Sequence, residues 1–184
     1  IFTKDKHHLF LNLISIFVLE EISIFEARIF TLDDGTVIDT FKFSFDERKN
    51  FNEIDVNRVI RSIELKLECL GNGKTFEIRN FHNKRVKLLN IRADVNIDNE
   101  SSATYTILNV RTNNRPQLLY DISKILIQNK IIISMAKIST YGDFVEDSFH
   151  LRSEYGLKIN NTNAIDKLVS EIKNKLLFRL NDVV

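Results

Sequence analysis

Apolar and polar residues alternate in two regions of the chain with the period of a half-buried β-hairpin. The arms of these two regions are Ser23–Thr31 and Val37–Phe45, then Ile131–Thr140 and Phe144–Leu151. Asp34-Gly35 lies between the first pair of arms and Gly142-Asp143 between the second. Because such dipeptides favour tight turns, the pattern predicts two antiparallel hairpins.

Four further segments carry apolar residues at helical spacing, one before and one after each hairpin. The first, Leu9 to Leu19, is apolar nearly all round, with only Asn12 and Ser15 polar. The others each have one apolar face, formed by Val56, Val59, Ile60, Ile63 and Leu67, by Leu118, Leu119, Ile122, Ile125 and Leu126, and by Ile165, Leu168, Val169, Ile172 and Leu176. A helix that is apolar all round is buried on more than one side. We therefore expect Leu9–Leu19 to form a module–module or homo-oligomer contact, the alternative being an unusually apolar surface helix.

The two halves of the chain are similar to each other. Asp5–Phe10 aligns with Asn114–Leu119, and Ile24–Thr31 aligns with Ile133–Thr140, both at an offset of 109 residues. Beyond the turn the offset falls to 108, where Asp39-Thr40-Phe41 meets Asp147-Ser148-Phe149. A change of length in a turn costs little, and the period is too long for a solenoid. The pattern indicates a duplicated domain.

Each copy has the order strand, helix, strand, strand, helix, strand. This order predicts an α+β fold of two ferredoxin-like βαββαβ modules, each an antiparallel four-stranded sheet with two helices on one face. We expect the first module at residues 1–70, a linker and extended segment at 71–102, and the second module at 103–184. The closing strand of the first module is expected within 84–97, and that of the second is expected to be very short or cut off.

Composition and charge exclude several classes of function. The net charge is +1 and the basic residues are spread along the chain, so we expect no nucleic-acid partner. The run Leu9–Leu19 is shorter than the ~20 residues that span a bilayer, and Glu20 and Glu21 follow it, so we expect no membrane segment or secretory signal. Cys69 is the only cysteine, which is typical of a reducing, cytoplasmic compartment.

No cofactor or metal is expected from the sequence. His7 and His8 are adjacent, so on a helix their side chains point about 100° apart and cannot hold one ion together. Asp33-Asp34-Gly35 lacks the ligand series of an EF-hand and favours a hairpin turn. Cys69 has no neighbour that would activate its thiol, so we expect it to pack inertly.

Several strings of residues resemble a known family. They are Ile97–Ser102, Arg115–Asp121, Ala136–Gly142 and Tyr155–Ile159. Together they resemble the C-terminal tandem ACT domains of the bifunctional PII uridylyltransferase/uridylyl-removing enzyme, in its alphaproteobacterial form, over essentially the whole chain. The resemblance implies a regulatory, glutamine-sensing pair in nitrogen regulation. The family's catalytic parts need a Gly-Ser turn and a His-Asp doublet, and the sequence has neither dipeptide. Catalysis is therefore expected in another part of the parent enzyme, with no catalytic residue in this chain.

The resemblance also implies where an effector would bind. In ACT modules the amino acid lies at the turn between the first strand and the first helix, where free N–H groups and the helix dipole favour a carboxylate. The matching residues are Asn113, Asn114, Gln117 and Leu118 in the second copy and Asp5, His8 and Leu9 in the first. The family pattern has Gly where Gln117 and His8 stand.

Two alternatives to effector binding are open at these turns. Asn114 and Gln117 have the spacing of a helix capping box, with Pro116 in the first turn, so the second turn could be a purely structural cap. Loss of both family glycines also favours a degenerate ACT pair that serves only as a structural or oligomerisation module.

Asp39 and Asp147 share strand faces with apolar residues. A carboxylate on a core face needs hydrogen-bond donors. The alternatives are a structural bond to a neighbouring turn and a contact with a ligand.

Overall fold

The computed structural model describes residues 1–4, 9–32, 34–44, 53–76, 78, 93–115 and 117–178. Its elements, in chain order, are β1 Phe2–Lys4, α1 Leu9–Leu19, β2 Ser23–Thr31, β3 Thr36–Ser44, α2 Glu53–Gly71, β4 Ala93–Asp98, β5 Thr106–Asn113, α3 Leu118–Gln128, β6 Ile131–Tyr141, β7 Phe144–Ser153 and α4 Thr162–Phe178. Both predicted hairpins and all four predicted helices are confirmed, and the bounds of α1 and β2 are those predicted.

The described strands form one antiparallel sheet of seven strands, in the order β1-β3-β2-β6-β7-β5-β4. The α+β class, with helices on one face of an antiparallel sheet, is confirmed. One correction concerns the number of sheets, because the sequence suggested two and the structure has one. β2 of the first hairpin pairs with β6 of the second. This pairing satisfies backbone N–H and C=O groups that an open sheet edge would expose.

The pairing of β2 with β6 is symmetric with respect to the duplication. Ala27 pairs with Ile138, and Ile29 pairs with Ala136. At the offset of 109 residues, Ala27 corresponds to Ala136 and Ile29 to Ile138. Each pair is therefore the copy of the other, and a local twofold axis relates the two hairpins at this junction.

β4 is the strand whose place the sequence did not predict. It follows α2 in the chain, yet it pairs with β5 over Ala93–Asp98, at the far end of the sheet from β1. A closing strand for the first module was predicted within 84–97. For residues 93–97 that prediction is corrected, because their hydrogen-bond partner is the first strand of the second half. Residues 84–92 lie outside the described part of the chain.

The turns of the two hairpins use their glycines as predicted. Gly35 has φ of 75° and Gly142 has φ of 58°. Asp34 accepts hydrogen bonds from both the backbone N–H and the hydroxyl of Thr36, at 2.8 and 2.9 Å. Asp34 therefore serves the turn, as expected for a hairpin rather than for a cation loop, and Asp33 lies outside the described residues.

α1 lies between the two apolar cores. Phe10 and Ile14 belong to a core shared with β2, β5–β7, α3 and α4, while Leu13 and Phe17 belong to a second core with β3 and α2. Its polar residue Asn12 is buried and accepts the N–H of Phe76 at 2.9 Å. This burial on two sides agrees with the predicted module–module contact of Leu9–Leu19.

α2 departs from its predicted apolar face at one position. Ile63 is buried, but Ile60 is 40% exposed. The helix is amphipathic and lies at the side of the smaller core, so only part of its apolar stripe reaches that core.

Candidate functional site

The turn between β5 and α3 contains the predicted effector residues of the second module. Asn113 ends β5 and is buried, and the N–H of Asn114 donates to the carbonyl oxygen of Asp143 at 2.7 Å. Gln117 and Leu118, both buried, follow at the start of α3. The structure therefore brings these four residues together beside the tip of the β6–β7 hairpin. Effector binding by them stays a prediction.

Gln117 has the backbone conformation that favours glycine. It is the N-cap of α3, with φ of 62° and ψ of 10°. A side chain at such a φ is strained, which gives a backbone reason for the Gly in the family pattern at this position. The N-cap of α3 is Gln117 rather than Asn114, and the N–H of Asn114 donates to Asp143, so the predicted capping box is wrong.

A buried ion pair fixes this turn to the first turn of α3. Nη1 of Arg115 lies 2.8 Å from Oδ2 of Asp121, and both side chains are at most 9% exposed. Nζ of Lys175, on α4, lies 3.9 Å from Oδ1 of the same carboxylate. Burying an ionised carboxylate is costly unless it is paired, so the pair favours one arrangement of the turn and α3. The spacing of Arg115 and Asp121 does not predict this pair, because one lies in the turn and the other in α3.

A cavity of about 230 Å³ opens between α3 and α4 beside this ion pair. Its lining contains charged, amide and apolar side chains, namely Ile78, Gln117, Tyr120, Asp121, Lys124, Ile125, Gln128 and Lys175. Nζ of Lys124 lies 5.6 Å from the centre of the Tyr120 ring. Of the predicted effector residues that the structure describes, only Gln117 lines this cavity. The sequence analysis did not predict Lys124 and Lys175 as lining residues, because lysines are common on helix surfaces and these two belong to no sequence motif.

The predicted site of the first module is described only in part. Asp5, His7 and His8 lie outside the described residues. Leu9 begins α1 and is buried in the smaller core, beside Leu13 and Val37. Its side chain therefore serves packing, and its place in an effector site stays a prediction.

Asp147 is buried in the sheet face that carries the core. Its Oδ1 accepts the backbone N–H of Ser139, on the neighbouring strand β6, at 3.3 Å. Burial raises the pKa of Asp147 to about 7, and the bond from Ser139 opposes that rise. Asp39, its counterpart in β3, is also buried. The bond of Asp147 to a neighbouring strand favours the structural alternative, although the bond goes to a strand rather than to a turn.

No group of three His, Cys, Asp or Glu side chains among the described residues could hold a metal ion. Cys69 is a free, half-buried cysteine near the end of α2. No helix in the described residues is long and apolar enough to cross a membrane.

Two of the strings that carry the family resemblance, Ile97–Ser102 and Tyr155–Ile159, are joined to each other by hydrogen bonds. Asn99 donates from Nδ2 to the carbonyl oxygen of Ile159 at 2.9 Å and accepts the hydroxyl of Thr106 at 2.7 Å. The N–H of Ile159 in turn donates to the Thr106 hydroxyl at 2.9 Å. Nζ of Lys158 donates to the carbonyl oxygen of Ser102 at 2.7 Å. These residues join the β4–β5 connection to the segment before α4, which is a structural role.

Comparison with known proteins agrees with this architecture. Residues 94–184 match the family model described as "ACR9-like, ACT-like domain". That match begins within β4, so it includes most of the edge strand that pairs with β5. No solved structure matches the chain.

The curated relatives cover nearly the whole chain. It is 29% identical to the bifunctional uridylyltransferase/uridylyl-removing enzyme of Azospirillum brasilense, over 99% of this chain and 20% of that enzyme. The enzymes of the same name from Ruegeria pomeroyi and Gluconobacter oxydans are each 32% identical, over 85% and 89% of this chain. The chain spans about a fifth of the length of the relatives it matches.

The resemblance noted from the sequence is therefore confirmed. The matches come from several alphaproteobacteria and include both halves of the chain. The chain is similar to a segment of bifunctional uridylyltransferase/uridylyl-removing enzymes, and its second half matches an ACT-like domain family.

Proposed function

We propose that this chain is the regulatory, glutamine-sensing ACT pair of a PII uridylyltransferase/uridylyl-removing enzyme and takes part in nitrogen regulation. The similarity to enzymes of that name over 85–99% of the chain supports the proposal. Catalysis belongs to other segments of the parent enzyme, since the chain corresponds to about a fifth of such an enzyme. The proposed modules are 1–70 and 103–184 with 71–102 between them, and β4, within that intervening segment, adds its strand to the second module.

The observation that carries the proposal is the continuity between the β5–α3 turn and the first module. α3 begins directly after Gln117 and packs against α1. Phe10 and Ile14 of α1 share a core with Ile122 and Leu126 of α3. A ligand at the turn can shift an equilibrium only if it binds one arrangement of the modules better than another. The shared core supplies a physical link by which such a difference reaches the first module.

Calorimetric titration of the chain with L-glutamine tests the proposal. We expect saturable binding in the millimolar range or tighter, and none with D-glutamine. Asn114→Ala should weaken binding while leaving thermal stability unchanged, because its backbone N–H still donates to Asp143. Absence of both heat and thermal shift with millimolar L-glutamine would contradict glutamine sensing.

The second candidate function is a degenerate ACT pair that only mediates structural or oligomeric contacts. One observation favours it: the buried Gln117 side chain occupies the place of a family glycine. Sedimentation velocity separates the two candidates. Oligomers that form with rising concentration and ignore every amino acid would select the structural role.

A further inference from the structure

The cavity between α3 and α4 has a surplus of positive charge. Lys124 and Lys175 line it, and Asp121 is the one carboxylate among its described lining residues. That carboxylate already has Arg115 at 2.8 Å as a buried partner. Lys175 lies 3.9 Å from Asp121 and its side chain is 43% exposed, so its ammonium group is available to another anion.

The remaining lining is suited to a short aliphatic molecule with a polar end. Ile78 and Ile125 supply apolar surface, and Gln117 and Gln128 supply amide groups that both donate and accept hydrogen bonds. The volume of about 230 Å³ is below the range of about 300–1,000 Å³ that is usual for drug-sized ligands. The cavity therefore fits a small metabolite better than a nucleotide or a peptide.

We propose that this cavity binds a small aliphatic carboxylate, with the carboxylate group facing Lys124 and Lys175 and the chain lying against Ile78 and Ile125. The proposal goes beyond the proposed function, because it depends on the charges of Lys124 and Lys175 and not on glutamine. Gln117 is the residue that the cavity shares with the β5–α3 turn. A ligand here would contact α3, α4 and Ile78 at once. It would thereby join parts of the chain that belong to both halves.

NMR titration of the 184-residue chain with glutarate tests the proposal. Amide shifts should appear first along α3 and near Lys175, and butyramide, which lacks a carboxylate, should leave them unchanged. Inorganic phosphate is the third probe. If phosphate binds as tightly as glutarate, the carboxylate class is wrong.

Lys124→Gln and Lys175→Gln should each weaken glutarate binding about tenfold or more, because each removes one charge-assisted hydrogen bond. Lys173→Gln is the matched control, since Lys173 lies on α4 with Lys175 but is not among the residues that line the cavity. Equal affinity in all three variants, or no shifts with glutarate in the unmodified chain, would overturn the proposal. Thermal unfolding confirms that each variant is folded.

The same variants separate this proposal from glutamine sensing at the turn. If the chain binds glutamine, Asn114→Ala weakens that binding, and glutarate does not bind, the proposed function stands and the cavity site is overturned. Glutarate binding that depends on Lys124 and Lys175, in a chain that ignores glutamine, would do the reverse.

Discussion

Arg28 and Lys137, which occupy the same position in the two copies, face each other across the β2–β6 junction. Two like charges directly opposite each other are unfavourable in a sheet. Glu26 offsets them, since its carboxylate lies 3.3 Å from Nη2 of Arg28 and 2.6 Å from Nζ of Lys42. The bond from Lys42, with smaller contributions from the charges of Lys42, Arg28 and Lys137, lowers the pKa of Glu26. The junction thus has a charged outer face and an apolar inner face.

The small side chains of the inner face should be intolerant of added volume. Ala27 is fully buried at the junction, where it pairs with Ile138. Ala27→Leu should destabilise the chain by about 1–3 kcal/mol, because it overpacks a closed core. Urea unfolding measures this, with Thr40→Leu on the exposed face of β3 as control. Equal stability of the two variants would show that the junction is loosely packed.

The buried carboxyl of Asp147 should make stability depend on pH. Its pKa is raised from 3.8 to about 7 in the folded protein, so the folded state holds the proton more tightly than the unfolded state does. The resulting stability is complete below about pH 4 and is lost as the pH rises to about 7. The loss is on the order of 4 kcal/mol, since one pKa unit corresponds to about 1.36 kcal/mol.

Asp147→Asn should remove most of that dependence, because a neutral amide of the same shape does not titrate. Denaturant unfolding at pH values between 4 and 7 measures the slope. Glu146→Gln changes the neighbouring exposed carboxyl and should leave the slope unchanged. If the unmodified chain and Asp147→Asn lose stability in parallel, Asp147 is not the group responsible.

The left-handed backbone at Gln117 should tolerate glycine and reject a β-branched residue. Gln117→Val should destabilise the chain by at least about 1–2 kcal/mol, since a β-branched side chain is strongly disfavoured at positive φ. Gln117→Gly should be markedly more stable than the valine variant. Thermal unfolding compares the two, and equal stabilities would mean that residue 117 does not keep this conformation in solution.

The Arg115–Asp121 pair should be strongly coupled. Arg115→Met should cost about 3–5 kcal/mol, because it leaves the Asp121 carboxylate buried without its arginine partner. Arg115→Met combined with Asp121→Asn should recover most of the loss, since no charge then has to be buried. A double-mutant cycle by urea unfolding measures this coupling. Additive effects of the two substitutions would show that the pair contributes little.

The helices and hairpins could be predicted because they depend on residues close together in the sequence. The alternation in Ser23–Thr31 and the largely apolar run of Leu9–Leu19 predicted the bounds of β2 and α1. The partners of strands could not be predicted in the same way. Pairing of β2 with β6 uses backbone groups that every residue has, so Arg28 and Lys137 gave no sign that they would meet.

The candidate site was predictable only where the chain resembles a known family. Asn113, Asn114, Gln117 and Leu118 were placed at the β5–α3 turn by resemblance, and the structure brings them together. The conformation of Gln117 was missed because glutamine has no preference for positive φ. The cavity was missed because Lys124 and Lys175 come from two helices that only the tertiary fold brings together.

Amide hydrogen exchange at the β2–β6 junction, measured with and without saturating L-glutamine, tests most directly whether the two modules act as one sensor. We predict that Ala27, Ile29, Ala136 and Ile138 show similar protection without ligand, and that glutamine changes protection in both halves. Unchanged exchange at all four amides, or a change confined to the second half, would contradict the account.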